Sequence, residues 1–288
     1  KWFQIQAQRM DVPLFIFDVP HIVNGTSETT KLRYRDYVAD QIYDFFDFVE
    51  DTVGIKVNEK RMMKVWNNSV RLAKLWQEIY ELRKVVPTPV GYADTLGDIF
   101  PLVLLPGLKK GVKLYSDLLD EVKEYVKQGK GVLSKEEEKF RILFEGIPMW
   151  YKIKFFHQLV NYGAVVTYEP YTYSFGALRP EVTSLEEGIT AMAETMMYQP
   201  YFYNLQDRVA YFRNVISDYH IDGVLLHENK SCRPSCTGMY DLKQQLQNDP
   251  GIPVLLFTCD MNDPRAYSEK PMQLRMESFI ELLRNRKS

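Results

Sequence analysis

Two different spacings of apolar residues divide the chain. From residue 31 they recur every three to four positions. Tyr34, Val38, Ile42, Phe45 and Val49 fall on one helical face, with Asp40, Asp44, Asp47 and Glu50 largely elsewhere. Gly54 closes that helix. Asn58 opens a second as its N-cap, striped by Met62, Trp66, Val70, Ala73 and Tyr80 and stopped by Pro87 and Pro89. Residues 91–111, punctuated by glycine and proline, read as loop or short helix, and 112–126 as a further amphipathic helix.

After residue 139 the pattern changes to short aliphatic runs alternating with helical stretches, as in a parallel sheet with crossover helices. Runs at 141–145, 164–168, 223–227 and 252–258 predict four buried strands. Helices are predicted at 150–162 (closed by Gly163), 184–198, 207–219, 239–247 and 273–283. Ser134 with Glu137 and Ser184 with Glu187 fit capping boxes. The loop 169–181 follows Tyr168 and carries Tyr171, Tyr173 and Phe175, a set that suits a pocket wall or ordinary packing equally.

One run stands apart. Leu14-Phe15-Ile16-Phe17 reads as a strand halted by Asp18-Val19-Pro20, with no earlier strand to pair with. With Lys1 where a methionine is expected, it predicts that the sequence is the carboxyl-terminal part of a longer polypeptide. The expected organisation is the end of a first α/β domain (1–30), a helical region (31–138) and a second α/β domain (139–288). The last is expected to be doubly wound, flavodoxin- or Rossmann-like.

Composition narrows the function. A 45% hydrophobic fraction with 26% charged residues over 288 positions describes a folded chain with a sizeable core. A net charge of −2, with no massed lysines, argues against a nucleic-acid partner. The longest apolar stretch, 99–108, is broken by Pro101 and Pro106 and is too short to span a bilayer, and no signal-peptide pattern follows Lys1. Three cysteines speak against a secreted disulfide framework and for a reducing compartment, the cytoplasm.

The chemistry points to the loop His227-Glu228-Asn229-Lys230-Ser231-Cys232-Arg233-Pro234-Ser235-Cys236, between the strand at 223–227 and the helix at 239–247. It lies at the carboxyl end of a strand, where open α/β sheets place ligands. A thiol at a helix start beside Lys230 and Arg233 favours the thiolate, the form that binds iron or zinc and the form that attacks. The Cys-x-x-x-Cys spacing of Cys232 and Cys236 leaves metal ligation and a plain helix-start role both open. Cys259, ending the next apolar run, is expected to be a small buried hydrophobe. His227 is nearest the loop; His157, beside Phe155 and Phe156, is expected inside or at a boundary. Asp260 and Asp263 could be paired acids, although an Asp–Arg fork with Arg265 is the simpler reading. No glycine-rich phosphate loop and no Gly-x-Ser-x-Gly elbow is present.

These motifs resemble the 2-hydroxyacyl-CoA dehydratase and benzoyl-CoA reductase family. The likeness runs through Asp222-Gly223-Val224 to Asn229-Lys230-Ser231-Cys232-Arg233-Pro234, then Gly251-Ile252-Pro253-Val254-Leu255 and Asp260-Met261-Asn262-Asp263-Pro264-Arg265. It continues with Gln273 and Arg275-Met276-Glu277-Ser278-Phe279-Ile280-Glu281, and Arg141 to Trp150 looks like the opening of the family's second α/β domain. The resemblance implies a [4Fe–4S] cluster held by three cysteines, the third standing where Cys232 does and the other two in an amino-terminal domain. Cys236 is a weaker ligand candidate. It further implies dehydration of an (R)-2-hydroxyacyl-CoA to an enoyl-CoA by one-electron chemistry, after an ATP-hydrolysing iron–sulfur activator injects the electron. A homologous second subunit, or a second copy, is the implied partner. Benzoyl-CoA reduction is the alternative within the family; a non-catalytic partner or scaffold with an incomplete cluster site is the alternative outside it.

Overall fold

The computed structural model describes residues 2–23, 25–176, 179–198 and 203–287. After an isolated helix α1 (Trp2–Met10) come the long helices α2 (Glu28–Val53) and α3 (Glu59–Leu82), then α4 (Tyr92–Leu104) and α5 (Lys109–Lys127). The sheet follows: β1 (Phe140–Glu145), α6 (Lys154–Gln158), β2 (Ala164–Tyr168), α7 (Pro170–Phe175), α8 (Leu185–Met197), α9 (Leu205–Asp218) and β3 (Gly223–Asn229). It is completed by α10 (Arg233–Cys236), α11 (Met239–Asn248), β4 (Val254–Cys259) and α12 (Glu269–Lys287).

The four strands are parallel and lie in the order β2-β1-β3-β4. Every residue of β1 and β2 is buried, which explains their unbroken aliphatic reading. Alternate residues serve opposite faces. Leu143, Val224 and Leu226 pack with Trp76, Ile79, Tyr115, Phe212 and Leu242 from α3, α5, α9 and α11. Ile142, Phe144, Leu225 and Phe257 pack with Phe155, Phe156, Met276, Phe279 and Ile280 from α6 and α12. Helices α3 and α5 therefore share one core with the sheet. Helix α2 packs Val38 and Ile42 on Ile189, Ala193 and Met197 of α8 instead.

Several expectations change in detail. Residues 14–17 are not a strand: Phe15 and Phe17 stack on Phe45 of α2 without strand pairing. Residues 91–111 contain a three-turn helix, α4, whose first N–H groups are met in part by Asp94 reaching back to the Gly91 amide at 2.8 Å. The stretch 150–162 is three short pieces rather than one helix: 3-10 turns at Trp150–Lys152 and Leu159–Tyr162 flank α6. Gly163 still closes it in the left-handed conformation at φ 72°. The loop 169–181 holds the short helix α7, started by Pro170 at its first turn; residues 177–178 of that loop lie outside the described residues. Asn58 caps α3 and Ser184 caps α8 as expected, but Glu187 turns to the Thr183 amide, so that capping box closes on only one side.

Candidate functional site

The strand order reverses between β1 and β3, the position at whose carboxyl ends open parallel sheets bind ligands. β1 exits there through Gly146, whose φ of +126° is open only to glycine. A Cβ at this position would stand 2.6 Å from the carbonyl oxygen of His227, so the exit of β1 is pressed on the backbone of β3. β3 pairs with β1 only as far as Leu226 but continues with β4 through Asn229, opposite Cys259. The two projecting strand ends carry the loops that build the site.

Asn229 ties those loops together. Its Oδ1 accepts from the Met261 amide at 3.1 Å and from Ser231 Oγ at 3.3 Å, and the Lys230 amide donates to the Cys259 carbonyl at 3.0 Å. Asp260 Oδ1 accepts from the Asn262 and Asp263 amides at 2.8 and 2.9 Å, and these bonds hold its carboxyl below the ordinary aspartate range. Asp263 forms a fork with Arg265, which pulls its pKa down to about 2. The two aspartates are thus turn-builders, each occupied by its own partners.

Cys232 caps α10, with its amide on the Asn229 carbonyl at 3.1 Å, and is half-buried. α10 is a single turn broken by Gly238 before α11 begins, so the dipole acting on Cys232 is that of one turn, not of the long helix expected. Burial first, and Cys232 second, raise the hydroxyl pKa of Tyr171 in α7. The Tyr171 ring lies 6.1 Å from Trp150, which lies 6.3 Å from Phe100, and the Trp150 amide donates to the Met261 carbonyl at 3.0 Å. Cys236 is also half-buried, its thiol 3.4 Å from the Arg233 carbonyl.

The remaining candidates separate from the loop. Cys259 is 2% exposed and burial raises its thiol pKa, as a buried hydrophobe should behave. The three thiols do not assemble: among the described residues no group of three His, Cys, Asp or Glu side chains is placed to hold a metal. His227 is fully buried, stacked on Phe257 at 5.1 Å, with Nδ1 donating to the Ile147 carbonyl at 2.6 Å. Burial pushes its pKa down, and it is an interior packing residue. His157, expected inside or at a boundary, is exposed.

Sequence reasoning missed an ion pair at the same edge. Glu145, the last residue of β1, is 2% exposed and bonded through Oε1 to Arg208 Nη2 of α9. Arg208 also lies over the ring of Phe212 and against Met239 Sδ at 3.7 Å. A charged residue ending the run Arg141-Ile142-Leu143-Phe144 was the available signal; its partner, 63 residues away, was not visible. With Cys232 and this pair, the edge offers one half-buried thiol and one fixed carboxylate.

Known proteins share this sequence pattern across its whole length. The family model described as 2-hydroxyglutaryl-CoA dehydratase, D-component, matches residues 1–283. The chain is 28% identical over 286 residues to the (R)-phenyllactyl-CoA dehydratase alpha subunit of Clostridium sporogenes, covering 98% of this chain and 67% of that one. It is 27% identical over 284 residues to the alpha chain of (R)-2-hydroxyglutaryl-CoA dehydratase of Acidaminococcus fermentans, covering 98% of this chain and 57% of the relative. A benzoyl-CoA reductase polypeptide of Thauera aromatica is 25% identical over 300 residues, covering 100% of this chain and 68% of that relative. The chain therefore spans between just over half and about two thirds of these relatives' length.

Proposed function

The chain belongs to the 2-hydroxyglutaryl-CoA dehydratase D-component family, and from that premise we propose that it is a subunit of an enzyme dehydrating an (R)-2-hydroxyacyl-CoA to the enoyl-CoA. The observation that carries the reading is Cys232, a half-buried thiol at the sheet's carboxyl edge, in a loop that Asn229 ties to the end of β4. Its second α/β domain is proposed as doubly wound, with the substrate over the β1–β3 crevice.

The proposed cofactor is a [4Fe–4S] cluster with Cys232 as one thiolate ligand and Cys236 as a weaker candidate. The described residues fit one corner of such a cube and not the whole of it, since no set of three ligands comes together among them. The other ligands have to come from polypeptide outside these residues. A bound cluster supplies one-electron chemistry, with the electron delivered by a separate ATP-hydrolysing iron–sulfur activator. In this chain, Cys232 would hold one corner of the cluster, and Asn229 and Asp260 fix the loop that carries it.

The partner is a homologous second subunit in a heterodimer, or a second copy, and the compartment is the cytoplasm, consistent with three free thiols. No helix among the described residues is long and apolar enough to cross a membrane. Two other readings have specific support. The benzoyl-CoA reductase relative favours a dearomatising enzyme. The incomplete ligand set among the described residues favours a non-catalytic partner or scaffold.

Anaerobic purification of the complete polypeptide with its partner, followed by iron and sulfide counting, separates these readings. Cys232→Ser should lower the iron content and Cys259→Ser should leave it unchanged. Equal iron in wild type and Cys232→Ser removes the ligand assignment. Turnover of 2-hydroxyacyl-CoA against benzoyl-CoA, with the activator, then decides between the two reactions.

A further inference from the structure

Four carboxylates are buried among the described residues: Glu138, Glu145, Glu169 and Asp260. Three of them are well supplied with donors. Glu169 accepts from Tyr80, Thr95, Thr172 and both terminal nitrogens of Arg83. Glu138 takes Arg141 on one oxygen and the Thr88 amide on the other. Asp260 takes two backbone amides. Glu145 differs: Oε1 is bound by Arg208, while Oε2 is buried and has no donor.

A buried charged acceptor left unpaired is costly, and native structures rarely keep one without a use for it. The place matters as much as the unpaired oxygen. Glu138 and Glu169 lock the helical layer to the sheet, whereas Glu145 stands at the carboxyl end of β1, at the reversal of strand order. The loop of Cys232 at the same edge carries two more buried polar atoms without partners, Asn229 Nδ2 and Ser235 Oγ.

We propose that Glu145 contacts the substrate: Oε2 accepts a hydrogen bond from a donor group of the CoA thioester, and Arg208 holds the carboxylate in place. The assignment rests on the function proposed above. Next to the thioester, a 2-hydroxyacyl-CoA offers its 2-hydroxyl as a donor, and along the CoA arm it offers amide N–H and hydroxyl groups; the thioester carbonyl only accepts. Glutamine at 145 keeps the shape but gives up the charge, and its amide group competes with the donor it should receive.

The test uses the assembled enzyme without its activator, so that ligand binds but is not turned over. Calorimetry compares a 2-hydroxyacyl-CoA with the matching acyl-CoA lacking the hydroxyl, on wild type and Glu145→Gln. If the hydroxyl is the donor, wild type prefers the hydroxylated ligand by about 10- to 100-fold and Glu145→Gln loses that preference. If a pantetheine amide is the donor, Glu145→Gln weakens both ligands alike. Unchanged affinity for both overturns the proposal. Wild type that binds neither ligand brings down the proposed function itself, and this assignment with it.

Because glutamine leaves Arg208 charged without its partner, Glu145→Gln/Arg208→Gln is measured alongside, with melting curves to confirm folding. A crystal structure of wild type with the 2-hydroxyacyl-CoA gives an independent answer. A ligand donor within hydrogen-bond distance of Oε2 supports the contact. An ordered water there, with the ligand elsewhere, overturns it.

Discussion

Replacing Gly146 by alanine drives a methyl group into the backbone of the neighbouring strand, and the size of the effect follows from two separable causes. The first is conformational: φ at Gly146 is +126°, in the region reserved for glycine, where another residue costs about 1–3 kcal/mol. The second is steric. The new Cβ would lie 2.6 Å from the His227 carbonyl oxygen and 2.9 Å from the His227 Cβ, and neither is a flexible chain end. Relief requires β1 and β3 to part at the reversal of strand order, an overpacking strain of about 1–3 kcal/mol. The two together predict a loss of about 2–6 kcal/mol, a large share of the 5–15 kcal/mol typical of a whole domain. Gly129→Ala is the control, since Gly129 has φ +65° but nothing within 4 Å of its added Cβ. It should lose only the conformational part, about 1–2 kcal/mol. Urea unfolding followed by tryptophan fluorescence measures both variants. Equal losses in the two would refute the claim that β1 leaves the sheet in forced contact with β3.

Further expectations concern the buried charges. Glu169→Gln leaves Arg83, itself fully buried, without its counter-charge and should cost about 3–5 kcal/mol in urea unfolding. Tyr80→Phe, which removes one of that carboxylate's donors at 2.6 Å, should cost about 1.5–3 kcal/mol. Burial first, then Asp94 and Glu121, push the Asp98 pKa up to about 6. The folded state therefore holds this proton more tightly than the unfolded chain. Its contribution to stability should rise as pH falls through about 6 and level off near 4, where the unfolded group is also protonated. At about 1.4 kcal/mol per tenfold the limit is about 3 kcal/mol, and partial exposure reduces it to about 1–2 kcal/mol. Asp98→Asn should remove that pH-dependent difference from melting curves recorded between pH 7 and pH 4; an unchanged slope refutes the assignment.

The strands were legible because β1 and β2 are buried throughout and β3 nearly so, so that apolar residues dominate each run. Their ends were less so. β3 extends through His227, Glu228 and Asn229 because β4 supplies backbone partners there, a long-range pairing that no hydrophobic pattern records. The opposite error occurred at residues 14–17, whose apolar side chains serve Phe45 and Phe48 of α2, so hydrophobicity was read as pairing. α7 went unseen because a six-residue helix is too short to show a period, although Pro170 at its start was a usable sign. Cys232 was singled out from its position after a strand, and it does follow β3 at the start of α10. The Glu145–Arg208 pair was not, because its two members meet only after β2 and helices α6 to α8 have intervened.

The distribution of polar groups around the sheet also explains why its carboxyl edge can carry a site while the opposite edge cannot. At the amino edge, Arg141 is consumed by Glu138 and by the carbonyl oxygens of Arg83, Val85 and Tyr219, and Asp222 is shared between the Arg141 amide and Lys287. Each of these donors binds another part of the fold, so a ligand could enter only by breaking a structural bond. At the carboxyl edge the backbone is secured by groups that point along the loops, chiefly Asn229 Oδ1 and Asp260 Oδ1. The oxygen of Glu145, the amide nitrogen of Asn229 and the hydroxyl of Ser235 are left over. Fixing loops through one atom of a side chain while leaving its other atom unused gives a rigid edge with spare hydrogen-bonding capacity, which preorganised binding requires. If Asn229→Asp, which keeps Oδ1 but exchanges the spare donor for an acceptor, left ligand affinity in the assembled enzyme unchanged while Asn229→Ala loosened the loop, Asn229 would be a strut alone. Because the added carboxylate oxygen is buried and unpaired, Asn229→Asp should lose thermal stability as well, and a loss of affinity larger than that of the equally destabilised Asn229→Ala is the result expected of an edge built to bind.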